Sequence, residues 1–222
     1  MDSVISIHHA MSTTTHGPEL TNMVKSIVPV LTHDLYKGQC GRIGIVGGCK
    51  EYTGAPYFGA ISALKLGADL AHVFCTEGAA PVIKSYSPEL IVHPVLPNVK
   101  IEIDQWLPKM HSLVIGPGLG RDPGLLDNVK GFVTKARELA VPLVLDADAV
   151  FLISQDPSLI TGYQRVILTP NAVEFNRLFE TVIGSKPPSD DDLASSVNDL
   201  SAALGHVTIV RKGREDIISD GK

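Results

Sequence analysis

Short apolar runs alternate along this chain with segments whose apolar residues recur every three or four positions. Val166-Ile167-Leu168 is a compact, mostly β-branched run, the pattern of a strand buried on both faces. Pro170 ends it, because proline has no N–H for the ladder and a fixed φ. Asn171 then stands as a helix N-cap with Glu174 three residues on, the spacing of a capping box. Phe175, Leu178 and Phe179 fall at i, i+3 and i+4 and give that helix one apolar face. Its N-terminus would open at the carboxyl end of a parallel strand, where α/β proteins bind anions. Taken alone, Asn171 and Glu174 are equally well explained as a cap and nothing more.

The same alternation runs through the rest of the chain. Met23, Ile27, Val28 and Val30 place a first helix over residues 20–31, ended near Pro29. Residues 41–46 read as a strand entering the Gly47-Gly48 turn, and Gly54-Ala55-Pro56 opens a helix to Leu66 with proline near its favoured first position. A strand over 71–75 completes a β-α-β unit. Residues 81–97 offer only Leu90-Ile91-Val92 as strand-like. A strand at 112–115, a helix over 125–140, a strand at 141–145 and a short helix at 149–154 lead back to Val166. After the Asn171 helix come an acidic linker, Asp190-Asp191-Asp192, a helix to Leu204 and a strand at 207–210.

This order predicts one α/β domain over residues 21–222, a doubly wound, mostly parallel sheet with helices on both faces, behind a flexible tail of residues 1–20. Ile217-Ile218-Ser219 followed by Asp220-Gly221 reads as a strand and the strongest short hairpin-turn signal, with only Lys222 beyond. The expectation is an unpaired hairpin edge and a C-terminus shortened relative to a complete domain.

Composition narrows the function. With 222 residues, 44% of them hydrophobic, the chain can bury one sizeable core. A net charge of −5 without a clustered basic face argues against nucleic acid. An anionic ligand must then be held by local dipoles and one or two cations, since bulk charge is screened within about 8 Å at physiological salt. Cys40, Cys49 and Cys75 form no C-x-x-C pair and point to a reducing compartment, the cytoplasm. The histidines show no metal spacing, and no apolar run approaches a membrane span. The first arginine is Arg42, which gives little support to a mitochondrial transit peptide.

Candidate chemistry gathers at strand ends. Gly116-Pro117-Gly118-Leu119-Gly120 lies between a strand and a helix, a setting that lets a ligand reach backbone N–H groups, or simply a tight turn. It is not the dinucleotide fingerprint, because Arg121 stands where the third glycine belongs, and no P-loop pattern occurs. Asp146 and Asp148 end a buried strand, placed either to orient a metal or hydroxyl or to cap a helix. Lys212-Gly213-Arg214 is suited to phosphate or to a solvated loop.

Taken together, K-G-Q-C-G-R-I-G-I-V-G-G (37–48), Y-T-G-A-P-Y (52–57), G-P-G-L-G-R-D (116–122), L-D-A-D-A (145–149), L-T-P-N-A-V-E-F (168–175) and V-R-K-G-R-E-D (210–216) resemble the ATP-dependent NAD(P)H-hydrate dehydratase family. The resemblance runs from about residue 31 to 222 and implies a ribokinase-like fold. It implies a metabolite-repair lyase that uses ATP, with Mg2+, to phosphorylate the hydroxyl of the S-form hydrate of NADH or NADPH. Phosphate then leaves as the ring nitrogen pushes electrons in. A functional partnership with an NAD(P)H-hydrate epimerase is also implied.

By the same resemblance Gly118 lies against the hydrate, and Asn171, Ala172, Val173, Glu174, Phe175, Asn176 and Arg177 line its pocket. Lys212, Gly213, Arg214, Glu215 and Asp216 hold part of the ATP, and Glu174 is an indirect Mg2+ ligand. The family's G-G-x-G-D segment, with the aspartate that deprotonates the hydroxyl, does not occur before Lys222, so the expectation is that residues 1–222 alone fold poorly and are inactive. Two other readings stand beside this one, a ribokinase-like small-molecule kinase and a non-catalytic nucleotide-binding domain.

Overall fold

The computed structural model describes residues 5–7, 18–27, 32–96, 100–188 and 192–222. Its elements in chain order are β1 (Ile5–Ile7), α1 (Pro18–Ile27), β2 (Arg42–Val46), α2 (Gly54–Leu66), β3 (Leu70–Phe74), α3 (Ala80–Tyr86), β4 (Ile91–His93), α4 (Lys100–Trp106), β5 (Ser112–Ile115), α5 (Pro123–Glu138), β6 (Leu143–Leu145), α6 (Asp148–Gln155), β7 (Val166–Leu168), α7 (Ala172–Ile183), α8 (Leu193–Ala203), β8 (Thr208–Arg211) and β9 (Asp216–Ser219). One sheet of nine strands takes the order β1-β9-β8-β7-β6-β5-β2-β3-β4. The strands from β8 to β4 in that order run parallel, and β9 and β1 add antiparallel pairs at one edge. After β1 and α1 the chain enters the parallel part of the sheet at the interior strand β2, winds outward through β3 and β4, and returns to the other side of β2 through β5. That reversal makes the gap between β2 and β5 a topological switch point, where open α/β sheets bind ligands.

Alternation along the strands builds two apolar layers. Phe74, Leu113, Ile115, Leu143, Leu145, Val166, Leu168 and Ile209 face a core closed by residues of α5, α6, α7 and α8, Phe132, Leu152, Phe175 and Leu200 among them. On the opposite face Ile45, Val73 and Val92 pack under Ala60 of α2 and Ile83 of α3. Helices on both faces of a mostly parallel sheet are what the sequence pattern predicts.

Several expectations change. The strand Val166–Leu168 is not buried on both faces: Val166 and Leu168 are fully buried but Ile167 is 39% exposed. By register with Val144 and Val114 its side chain points to the face that α2 and α3 cover at β2 to β4, and that face is partly open at β7. Residues 81–97 hold a helix, α3, as well as β4, because Pro81 occupies the first turn, where its missing N–H is harmless. A hairpin turn lies at residues 212–215, between β8 and β9, ahead of the Asp220-Gly221 signal. The outer edge of β9 is paired, Ile218 with Ile5 and Asp216 with Ile7, within the stretch expected to be a tail. Helix α1 begins at Pro18, and the remainder of that stretch, with Asp190 and Asp191 of the acidic linker, lies outside the described residues.

At the β3–β4 edge His72, 3% exposed, and His93 lie side by side, Nδ1 to Nε2 at 2.9 Å, with Trp106 tilted over both rings. Burial first, then the charges of His93, Arg42 and Lys109, pull His72 down to about 4, and burial lowers His93 as well. The folded pair is therefore neutral where unfolded histidine, near 6.5, takes up protons. The stability it contributes is full above pH 6.5 and is lost as pH falls towards 4. His72→Asn is expected to flatten the fall in urea midpoint between pH 7.5 and 4.5, and an unchanged slope would sink this account.

Gly116 has φ +117°, and a Cβ there would sit 1.8 Å from the Asp146 carbonyl oxygen, whereas Gly67, at φ +122°, has nothing within 4 Å. Gly116→Ala is expected to cost at least about 2 kcal/mol more than Gly67→Ala in urea unfolding. Equal costs would mean that the two loops separate freely.

Candidate functional site

The turn after β6 sets the geometry. Ala147 adopts φ 48°, ψ −113°, a conformation that L side chains rarely take. It sends the two flanking carboxylates to different partners. Asp146 Oδ1 accepts hydrogen bonds from Thr169 Oγ1 at 2.8 Å and from Lys212 Nζ at 2.6 Å. Asp148 accepts from the Gly120 N–H at 2.9 Å and from Arg121 Nε at 2.9 Å. The three-residue turn thus joins the glycine-rich loop on one side to the β7 and β8 strand ends on the other.

The glycine-rich loop is held by backbone. The Gly118 carbonyl accepts from the N–H groups of Gly48 and Cys49 at 3.0 and 2.9 Å. Gly118 has φ +59°, and a Cβ there would come within 2.6 Å of the Tyr52 carbonyl oxygen. A Cβ at Gly47 would reach 2.1 Å from the Pro117 carbonyl oxygen. The loops after β2 and β5 therefore meet main chain to main chain and leave a cleft of about 810 Å³ at the switch point. Residues 51–55 form one wall, and Gly118, Gly120, Arg121 and Asp148 form the other. Helix α2 starts in this cleft with no side-chain cap from Thr53 and no acidic residue in its first turn. A second hollow, of about 590 Å³, shares Glu51 and is lined by Lys50, Glu77, Asp122 and Asn128 among others.

Arg121 lays its guanidinium 4.5 Å from the centre of the Phe151 ring, and Arg177 comes to 5.3 Å from the same ring. Arg177 Nη1 is buried and has no hydrogen-bond partner.

The α7 terminus takes the form its spacing predicts. Asn171 Oδ1 accepts from the Val173 and Glu174 N–H groups at 3.0 Å, and Glu174 Oε2 accepts from the Asn171 N–H at 2.9 Å. Asn171, Ala172, Val173 and Asn176 are exposed, and Glu174 and Arg177 half-buried. Phe175 is fully buried in the core, so its side chain lines no ligand surface; the periodicity that makes it a core residue takes it away from the site. In the β8–β9 turn the Lys212 N–H donates to the Pro170 carbonyl at 2.8 Å, which ties the turn to the start of α7. Gly213, Arg214 and Glu215 are exposed, and Asp216 closes the turn by accepting from the Gly213 N–H at 3.0 Å.

The structure thus brings Asn171, Glu174 and Lys212 to one region through Asp146 and Pro170, and Gly118 to the neighbouring cleft. Asp148 was read from sequence, with Asp146, as a candidate to orient a metal or hydroxyl, but Arg121 and the wall from Tyr52 to Ala55 were not singled out as site residues. Their charged or glycine-bearing strand ends were visible, but their convergence depends on which loops the sheet order makes neighbours. Among the described residues no three His, Cys, Asp or Glu side chains gather in a way that would hold a metal ion. No helix among them is long and apolar enough to cross a membrane.

Comparison with known proteins agrees with this geometry. A family model described as NAD(P)H-hydrate dehydratase matches residues 43–222. The ATP-dependent (S)-NAD(P)H-hydrate dehydratase of Bos taurus is 59% identical over 205 residues, covering 91% of this chain and 62% of that protein. The protein of the same description from Homo sapiens is 57% identical over 202 residues, covering 90% and 58%. The chain therefore spans about three-fifths of the length of these relatives. Among solved structures, a ribokinase-like superfamily protein from Enterococcus faecalis V583 superposes with TM-score 0.73 at 23% identity over 89% of this chain and 66% of its own. The ADP/ATP-dependent NAD(P)H-hydrate dehydratase of Bacillus subtilis, co-crystallised with ATP/Mg2+, gives 0.67 at 21% identity over 90% and 68%. These two likenesses establish a ribokinase-like fold, and with the match over residues 43–222 the chain belongs to the NAD(P)H-hydrate dehydratase family.

Proposed function

We propose that this chain serves an ATP-dependent lyase that returns the S-form hydrates of NADH and NADPH to the reduced cofactors. The observation that carries the reading is the Asp146 bridge. It sets the Lys212 ammonium, suited to a phosphate, beside the strand ends that border the switch-point cleft. The chemistry requires two ligands side by side, a hydrate whose hydroxyl is to leave and a nucleotide that makes it leave. Hydroxide is a poor leaving group and phosphate a good one, so transfer of a phosphoryl group to the hydroxyl lets the ring nitrogen expel it. Such transfers rest on positioning and charge stabilisation.

In this reading Gly118 and the wall from Tyr52 to Ala55 receive the nicotinamide hydrate, with the α7 terminus at its border. Lys212, Gly213, Arg214, Glu215 and Asp216 hold the ATP phosphates. Mg2+ enters with ATP, as it usually does where proteins supply few carboxylates. Glu174 fits a water-mediated contact to it better than a direct one, because its Oε2 is already committed to the Asn171 N–H. An epimerase is the natural functional partner, since hydration of the ring gives two epimers and a lyase selective for one strands the other. The free Cys40, Cys49 and Cys75 suit the reducing cytoplasm, with burial pushing the Cys75 thiol up to about 12.

Two measurements test the reading. ATP with Mg2+ is expected to raise the melting temperature, by an amount equivalent to about 2.7 kcal/mol at a hundredfold excess over Kd. Lys212→Ala should weaken that binding about tenfold or more while leaving the melt without ligand nearly unchanged. Incubated with NADH hydrate and ATP, a chain that carries the family's G-G-x-G-D segment in addition to residues 1–222 is expected to restore reduced-nicotinamide absorbance and release phosphate. A phosphorylated product that persists would instead make it a kinase, and ATP binding without turnover would make it a nucleotide-binding domain.

A further inference from the structure

Resting on the functional reading above, we propose that Arg121 and Arg177, both set against the Phe151 ring, form the seat for a phosphate group of the dinucleotide substrate. Arg121 is the more exposed arm of that seat.

Arg121 is half exposed yet fixed. Its Nε is held by Asp148 at 2.9 Å, its guanidinium lies 4.5 Å from the ring centre, and it borders the cleft beside Gly118 and Gly120. Its two terminal nitrogens make no hydrogen bond among the described residues. Arg177, 5.3 Å from the same ring centre, has no ion pair among them, and its Nη1 is buried without an acceptor. A buried donor left without an acceptor is destabilising, so it marks a place where a partner is missing.

Charge leads to the same kind of ligand. Asp148 pairs with Arg121 alone, and Glu174, on the same helix as Arg177, turns one oxygen to its own cap. Two guanidiniums therefore share one ring, and of the two only Arg121 has an ion-paired carboxylate among the described residues. The planar guanidinium fork matches phosphate oxygens, and stacking on an aromatic face holds the fork in place without using its donors. On a reduced dinucleotide hydrate the nicotinamide ring is neutral and only the phosphates carry charge. The group that this seat reads is thus a phosphate, either the pyrophosphate that both cofactors share or the 2′-phosphate that only NADPH carries.

The test is calorimetric titration of the chain and its Arg121→Gln and Arg177→Gln variants with NADH, NADPH and phosphate-free reduced nicotinamide riboside. Each substitution is expected to weaken dinucleotide binding about tenfold or more, with riboside binding unchanged. A loss common to NADH and NADPH assigns the pyrophosphate, and a loss for NADPH alone assigns the 2′-phosphate. Unchanged affinity for both dinucleotides, or an equal loss for the riboside, overturns the assignment. Wild-type chain that binds none of the three overturns the functional reading itself. Should Arg121→Gln unfold, Arg121→Lys keeps the charge without the fork and is expected to lose several-fold in dinucleotide affinity; wild-type affinity in that variant counts against the seat.

Discussion

Everything at the strand ends hangs on one backbone constraint, the turn at Ala147. An alanine held at φ 48°, ψ −113° is strained, and it persists because its surroundings over-determine it. On one side the Asp146 carbonyl oxygen presses against Gly116, where no side chain fits. On the other, two carboxylates each make two hydrogen bonds with separate loops. Releasing the strain would unpair them together. The turn therefore stores local conformational energy in exchange for a fixed relation between the switch-point cleft and the Lys212 turn.

Much of this was legible in the sequence, and the parts that were not have a common cause. The capping box at Asn171, the apolar stripe of Phe175, Leu178 and Phe179, and the strands from β2 to β8 follow from local spacing and formed as read. Ile167 was misread because a three-residue apolar run does not say whether a helix covers both of its faces. The turn at residues 212–215 was missed because it lacks an Asn-Gly or Asp-Gly signature and is closed instead by Asp216 onto the Gly213 N–H. Arg121 and Phe151 lie thirty residues apart in sequence and belong to loops and helices that only the strand order makes neighbours. Local chemistry writes elements, while partnerships between strand ends are written by topology.

The two faces of the sheet are built differently, and the difference matters for how the site is supported. The face under α5 to α8 is a continuous core that takes residues from β2, β3 and each strand from β5 to β8. The face under α2 and α3 is a smaller cluster centred on β2, β3 and β4, with Val114 of β5 at its margin, beneath the cleft wall of residues 51–55. That wall rests on small residues, Ala60, Ala79 and Ala80, which bring α2 and α3 close to the strands. The cleft is thus backed by tight packing near the switch point, and the Lys212 turn stands on the part of the sheet with more open surface.

Because the loops after β2 and β5 meet through peptide groups, at Gly47 against Pro117 and Gly118 against Tyr52, the floor of the cleft contains almost no side chain to vary. A population of sequence variants would show that floor as a band of near-total intolerance. The rim, at Tyr52, Thr53 and Arg121, would remain open to change. Adaptation of such a site to a different ligand is therefore channelled to a few rim positions, with the floor passed on intact as a fixed inheritance of shape.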